Sequence, residues 1–99
     1  MSILSNLFGG GRNQKVQAMI AAGAVVIDVR SPQEFKGGHF KGSKNIPLDR
    51  IQTEAQKIKA LDKPVVVCCA SGMRSSQAKS ILLNQGVKVV ENGGGWTSL

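Results

Sequence analysis

Two short runs of mostly β-branched apolar residues constrain the fold of this chain more than any other feature of its sequence. The first covers residues 24–29 (AVVIDV) and the second covers residues 64–68 (PVVVC). Neither run alternates between polar and apolar residues, which is typical of strands buried on both faces of a parallel sheet. Helical periodicity fills the sequence between and around the two runs. The pattern therefore predicts an α/β domain in which a central parallel sheet is flanked by helices on both faces.

Apolar periodicity, capping residues and glycines predict the other elements. Ser31, followed by Pro32 and then by Glu34, is the signature of a capping box at the start of a helix. Helices are predicted to begin at Asn13, at Ser31 and near Leu48, and a fourth to span residues 75–85. Short strands are predicted over residues 44–46 and 87–90, and a flexible glycine-rich loop over residues 92–95.

Length and composition indicate one soluble globular domain. The chain has 99 residues, 41% of them hydrophobic and 19% charged, which is enough to bury a core without disulfide staples. We expect residues 1–12 to be a flexible leader and residues 13–99 to form the domain. No stretch approaches the roughly 18 apolar residues of a membrane span, and the N-terminus lacks the pattern of a signal peptide. We therefore expect no membrane partner.

The positive charge of the chain favours small anions over nucleic acid as its partners. Its 13 Lys and Arg residues exceed its 6 Asp and Glu residues, so its net charge is +7. Such a balance can concentrate anions near a site. The lysines are spread along the chain, however, and one Trp, three Phe and no Tyr are a poor supply for stacking bases. We expect a solvated basic surface and no nucleic-acid partner.

The two cysteines, Cys68 and Cys69, are adjacent in the chain. Adjacent cysteines cannot staple a fold, so the chain is not a secreted disulfide scaffold. A zinc site needs about four ligands, and two cysteines with the single His39 fall short of that number. We therefore predict no metal site, no cofactor and a reducing, cytoplasmic environment in which a free thiol stays reactive.

The segment from Cys69 to Ser75 (CASGMRS) follows a predicted buried strand, at the edge of the sheet where ligands of parallel sheets bind. A loop wound there points successive amides inward, and the helix N-terminus and Arg74 add positive charge. Such surroundings lower the pKa of a cysteine from about 8.5 to roughly 3.5–7.5. Gly72 supplies the conformational freedom of a tight ring, and Ser71 and Ser75 can donate hydrogen bonds. The loop predicts a reactive thiolate at Cys69.

Six segments of the chain together carry a resemblance to a known family. They are residues 26–30 (VIDVR), 34–35 (EF), 38–43 (GHFKGS), 45–47 (NIP), 69–75 (CASGMRS) and 93–96 (GGGW). In content and order they resemble a single-domain rhodanese, a thiosulfate:cyanide sulfurtransferase. The resemblance implies the three-layer rhodanese fold, with Cys69 as sulfur acceptor. It implies that the amides of the following residues cradle this sulfur, namely those of Ala70, Ser71, Gly72, Met73 and Arg74.

The resemblance also implies a reaction, and the positions of several residues in the chain predict supporting roles. Sulfane sulfur would pass from a small anionic donor such as thiosulfate to cyanide, a thiol or a relay protein, through a persulfide on Cys69. Asp28 is expected to accept hydrogen bonds from amides near the active loop, and Arg30 to pair with Glu34. His39 is expected to hold the loop around residue 38 by hydrogen bonds.

Arg74 and Cys68 leave alternatives open. Arg74 either holds the loop closed or binds the anionic end of the donor. Five residues separate Cys68 from Arg74, which is the spacing of the loop in phosphatases and arsenate reductases. Four residues separate Cys69 from Arg74, which is the spacing of the shorter sulfurtransferase loop. We favour sulfur transfer, with Cys68 as a buried apolar residue, over a phosphatase. We also favour it over a non-catalytic binding module, since such modules typically lack the cysteine.

Overall fold

Four parallel strands form the centre of the protein in the computed structural model, which describes residues 11–99 and their side chains from residue 14 onward. The strands are β1 (Val25–Asp28), β2 (Lys44–Asn45), β3 (Val65–Cys69) and β4 (Val90–Gly95). They lie in the order β2-β1-β3-β4, and each neighbouring pair is parallel. The two apolar runs are the central strands β1 and β3, so the predicted parallel sheet is confirmed.

Helices cover both faces of this sheet. They are α1 (Gly11–Ala21), α2 (Pro32–Lys36), α3 (Leu48–Ala60) and α4 (Met73–Asn84), and a 3₁₀ turn follows β4 at Trp96–Ser98. Ile51 on α3 and Leu82 on α4 pack with Ile27 of β1 in one apolar cluster. Val16 on α1 and the partly buried Trp96 belong to a second cluster on the opposite face. The fold is therefore the predicted three-layer α/β arrangement.

Strand β3 separates the two cysteines. Successive side chains of a strand point to opposite faces of the sheet. Val67 and Cys69 accordingly belong to the cluster under α3 and α4, whereas Val66 and Cys68 belong to the cluster under α1. Both cysteines are buried, with at most 1% of either residue exposed. Adjacent thiols thus lie in different layers of the protein.

Strand β4 differs most from its prediction, since it includes the residues predicted as a flexible loop. Glycine usually weakens a strand, but side chains would not fit here. A Cβ on Gly93 would lie 2.8 Å from Leu99 Cδ2, and one on Gly95 would lie 2.7 Å from the carbonyl oxygen of Ala70. The glycines therefore allow β4 to approach the end of β3 closely.

The helix boundaries differ from their predictions by a few residues. Helix α4 begins at Met73 rather than at residue 75, and α1 begins at Gly11, so Asn13 lies within the helix instead of capping it. Residues 1–10 of the predicted leader lie outside the described residues. Among the residues that the structure describes, no helix has the length and apolar character to cross a membrane.

Candidate active site

Cys69 ends β3 at the carboxyl edge of the sheet, and the loop before α4 closes over its sulfur. The Gly72 amide donates a hydrogen bond to Cys69 Sγ at 3.0 Å, and the Ser75 amide donates at 3.4 Å. The Ser75 hydroxyl also lies 3.4 Å from Sγ. Gly72 precedes α4 with a φ of +104°, a left-handed conformation that favours glycine. The turn at Gly72 thus brings donors from the loop and from the first turn of α4 onto one sulfur.

These donors make Cys69 the more acidic of the two thiols. Burial raises the pKa of the Cys69 thiol, but hydrogen bonds outweigh it and leave the pKa below its ordinary value. The Ser75 hydroxyl, when it donates to the thiolate, contributes most to this lowering, followed by the amides of Ser75, Gly72 and Ser71. Of the amides expected to cradle the sulfur, those of Gly72 and Ser71 therefore act on it. The amide of Ser75, which lies beyond the expected set, does so as well.

Three residues of the predicted loop face solvent. Ala70 and Ser71 are exposed, and Met73 is 75% exposed at the start of α4. Their side chains form the outer surface of the loop, whereas the backbone lies toward the sulfur. The rim of the site thus carries exposed apolar side chains at Ala70 and Met73.

Cys68 lies on the opposite face of β3 and is fully buried beside Val16, Val26 and Val66. Burial, together with the negative charge of Asp28, raises the pKa of the Cys68 thiol to about 12. A thiol with that pKa is neutral near pH 7. The structure therefore places Cys68 where the sequence predicts it, as a buried apolar residue.

Arg74 pairs with Glu34 and joins the start of α4 to α2. Its two terminal nitrogens donate to the two Glu34 carboxylate oxygens at 2.7 and 3.0 Å. Glu34 also completes the predicted capping box with Ser31. The hydrogen bond from Arg74, followed by that from the Ser31 amide, lowers the pKa of Glu34 to about 2. The predicted ion pair between Glu34 and Arg30 is wrong, because Arg74 holds the Glu34 carboxylate. Arg30 Nη1 reaches the Glu34 backbone carbonyl instead, at 3.3 Å.

Arg30 instead forms a buried ion pair with Asp28. Nε and Nη2 of Arg30 donate to the Asp28 carboxylate over distances of 2.7 to 3.1 Å, and the Arg30 amide donates at 3.1 Å. Of the amide donors expected near the active loop, Asp28 has that of Arg30, and its other donors belong to the Arg30 guanidinium. Arg30 Nη2 also donates to the Gly38 carbonyl at 2.7 Å, and the guanidinium lies 4.8 Å from the centroid of the Trp96 ring. Arg30 thus holds the segment around Gly38.

His39 has a local contact with helix α2. Its Nδ1 lies 2.8 Å from the Phe35 carbonyl oxygen, and the two rings stack with their centroids 3.7 Å apart. His39 therefore fixes the chain next to Gly38 through α2, which agrees with a supporting position rather than one beside the sulfur.

Asn92 was not singled out by sequence reasoning, although it contacts the loop at two points. Its Oδ1 accepts from the Ser75 hydroxyl at 2.6 Å and from the Gly94 amide at 2.8 Å, and its Nδ2 donates to the Gly72 carbonyl at 3.0 Å. The available signal was its place next to three glycines after an apolar run. Because the glycines predicted a loop, Asn92 was not placed at the carboxyl edge of a strand beside Cys69.

A surface cavity of about 320 Å³ lies at the opposite end of the sheet from Cys69. Lys59, Lys63 and Lys88 line it, together with Asp62. None of its lining residues is a cysteine, serine or histidine. It contains no thiol and lies away from Cys69, so it is not part of the site described above.

Comparisons with known proteins agree with this geometry. The family described as "Rhodanese-like domain" matches residues 12–99. The chain is 41% identical over 69 residues to the uncharacterized protein YqhL of Bacillus subtilis, covering 70% of this chain and 54% of that protein. It is 35% identical over 77 residues to the thiosulfate sulfurtransferase GlpE of Stutzerimonas stutzeri, covering 78% of this chain and 70% of that protein.

A solved structure shows the same likeness. A rhodanese with anions from E. coli matches with a TM-score of 0.70 and 36% identity, over 77% of this chain and 91% of that chain. The chain spans about half the length of the Bacillus relative and a larger share of the other two proteins. Since the family match includes all four strands and the loop after Cys69, the chain belongs to the rhodanese-like family and to its sulfurtransferase class.

Proposed function

We propose that this chain moves sulfane sulfur from a small anionic donor such as thiosulfate to a thiophilic acceptor, through a persulfide on Cys69. The observation that carries the proposal is the pair of amides that donate to Cys69 Sγ, that of Gly72 at 3.0 Å and that of Ser75 at 3.4 Å. Donors at these distances stabilise a thiolate, which is the nucleophilic form of cysteine.

The first half of the reaction is a displacement at the outer sulfur of the donor. The Cys69 thiolate forms a new S–S bond with that sulfur, the S–S bond of thiosulfate breaks, and sulfite leaves with the bonding electron pair. The terminal sulfur of the persulfide carries the negative charge. The amides of the loop then face an anion that is one atom longer than the thiolate, and a ring of amides suits either anion.

The second half returns the cysteine to its starting state. An acceptor nucleophile, which is cyanide in an assay and a thiol or a relay protein in the cell, attacks the outer sulfur. Cys69 leaves as a thiolate, and a thiol with a lowered pKa is the better leaving group. Both displacements balance without an external oxidant or reductant. We place the reaction in the reducing cytoplasm, where thiol acceptors are abundant and Cys69 stays free.

The geometry supports sulfur transfer over the two alternatives. A phosphatase with the longer loop would use Cys68 as its nucleophile, but that sulfur is fully buried on the other face of β3. A non-catalytic module has no need of donors converging on a thiol, whereas at least two amides converge here. Cys69 and the shorter loop fit the small outer sulfur of a persulfide.

Intact-mass spectrometry after incubation with thiosulfate tests this proposal. The protein should gain the mass of one sulfur atom and lose it again on addition of cyanide. Cys69→Ser should gain nothing, while Cys68→Ala, the matched control, should gain sulfur like the wild type. A protein that gains no sulfur, or gains it on Cys68, would contradict the proposal.

A further inference from the structure

The side chain of Asn92 contacts two of the residues that hold the Cys69 sulfur. Its Oδ1 meets the Ser75 hydroxyl at 2.6 Å, and its Nδ2 meets the Gly72 carbonyl at 3.0 Å. We propose that Asn92 is a positioning residue that directs the Ser75 hydroxyl proton and thereby controls how readily Cys69 ionises. This inference rests on the proposed function in one respect, namely that Cys69 is the reacting thiol.

The orientation of the Asn92 carboxamide is set by partners on both sides. The Gly94 amide, a donor, lies 2.8 Å from Oδ1, while the Gly72 carbonyl, an acceptor, lies 3.0 Å from Nδ2. Exchanging the oxygen and nitrogen would place donor against donor and acceptor against acceptor. The oxygen of Asn92 therefore faces Ser75.

Ser75 has one hydroxyl proton, and the contact with Asn92 uses it. Oδ1 can only accept, so the 2.6 Å contact requires Ser75 to donate. The Ser75 oxygen then presents a lone pair to Cys69 Sγ, 3.4 Å away. This lone pair can accept a hydrogen bond from a thiol, but it repels a thiolate. The observed geometry is thus a chain in which Cys69 S–H donates to Ser75 and Ser75 donates to Asn92.

Ionisation of Cys69 reverses one link of this chain. The thiol proton leaves to solvent, and the Ser75 hydroxyl keeps its own proton but turns from Asn92 to Sγ. Asn92 Oδ1 retains the Gly94 amide, so the turn leaves it with a partner. Ser75 is 0% exposed, so bulk water does not replace either partner. Asn92 and the thiolate therefore compete for the same proton.

The charged side chains on neighbouring elements are paired with one another. They form the Asp28–Arg30 pair at the end of β1, the Glu34–Arg74 pair between α2 and α4, and the pairs of Glu91 on β4 with Lys15 and Lys79. The remaining titratable group is Cys68 on β3, a buried thiol with a raised pKa. Arg74 and Cys68 interact electrostatically with Cys69. Substitution of Asn92 leaves both of them in place, so neither accounts for a change in the titration of Cys69.

The pH dependence of Cys69 alkylation by iodoacetamide, measured without any sulfur donor, tests the proposal. Asn92→Leu keeps the size of the side chain and removes the acceptor, whereas Asn92→Asp keeps an acceptor and adds charge. Both variants lose the hydrogen bond to Gly72, so they are matched in that respect. We expect the pKa of Cys69 to fall by roughly half to one unit in Asn92→Leu, the size of one net hydrogen bond. We expect it to rise in Asn92→Asp.

Ser75→Ala supplies the second arm of the experiment. In that background Asn92→Leu should no longer lower the pKa of Cys69. A rise of the Cys69 pKa in Asn92→Leu would overturn the proposal, and so would a fall of this pKa that persists without the Ser75 hydroxyl. Loss of the Gly72 contact alone would shift the Cys69 pKa in the same direction in both Asn92 variants.

Two features keep the test decisive. If Asn92→Leu fails to fold by circular dichroism, Asn92→Asp carries the test, and its pKa rise should shrink in the Ser75→Ala background; an undiminished rise would overturn the proposal. The readout needs no sulfur transfer, so its failure is distinguishable from failure to form the persulfide.

Discussion

Cys68 and Cys69 should differ by at least about 30-fold in their reaction with iodoacetamide near neutral pH, although they are adjacent. The pKa of Cys68 is raised from 9.0 to about 12, whereas that of Cys69 lies below 9.0. The thiolate fraction of Cys69 is therefore about 10³-fold higher or more. A thiolate of lower pKa is a weaker nucleophile by about half a log unit per pKa unit, which offsets about 30-fold of that advantage. The remaining factor, about 30-fold, is the expected preference of iodoacetamide for Cys69 over Cys68.

The assay is brief alkylation at pH 7 followed by peptide fragmentation between the two residues. Neither thiol is more than 1% exposed, so a difference in access does not by itself account for a large preference. Cys69→Ser and Cys68→Ala are the matched variants, since each leaves one thiol in its own layer. Labelling of Cys68 within a few-fold of Cys69 in the wild type would refute the reasoning from burial and hydrogen bonding.

The same two variants should separate activity from stability. Cys69→Ser should abolish sulfur transfer, because a serine hydroxyl is not ionised near pH 7. Cys68→Ala should keep most activity and lose about 1–2 kcal/mol of unfolding free energy through the small cavity it leaves. For a domain of this size that corresponds to a fall in Tm on the order of 5–15 °C. Full activity in Cys69→Ser would instead favour the longer, phosphatase-like loop.

Three further predictions concern the ion pairs. Glu34→Gln should lower the Tm at pH 7. The difference in Tm between this variant and the wild type should disappear as the pH falls from about 4.5 to about 2. The pKa of Glu34 is lowered to about 2 in the folded protein, so the stability that its carboxylate contributes is lost on protonation. Arg74→Ala should raise the apparent KM for thiosulfate, more strongly at low salt, because the loop loses its link to α2; unchanged kinetics would exclude this role. Asp28→Ala should cost about 3–5 kcal/mol in urea unfolding, since it leaves Arg30 buried without its partner; a cost below about 1 kcal/mol would show that the pair is not stabilising.

Local patterns in the chain were sufficient to predict the frame of the protein. The apolar runs of β1 and β3 predicted the parallel sheet, because strands buried on both faces require continuous apolar sequence. The capping box from Ser31 to Glu34 predicted the start of α2, because its two hydrogen bonds join residues only three apart. The separation of Cys68 from Cys69 followed from the alternation of side chains along a strand. Each of these inferences depends only on near neighbours in the chain.

The contacts that complete the site depend on residues far apart in the chain. Arg74 reaches Glu34 across 40 positions, and Asn92 reaches Ser75 and Gly72 across 17 and 20. Long side chains can choose among several partners of opposite charge, so the sequence alone assigned Glu34 to the nearer arginine. The glycines after Asn92 predicted a loop. The reason for glycine in this strand, which is the lack of room for a Cβ, appears only when β4 is packed against the end of β3. The sequence by itself determined the two central strands of the sheet and the position of Cys69 at the end of one of them. Tertiary packing decided which side chains hold that thiol, because the close approach of β4 and the choice among charged partners are properties of the folded chain.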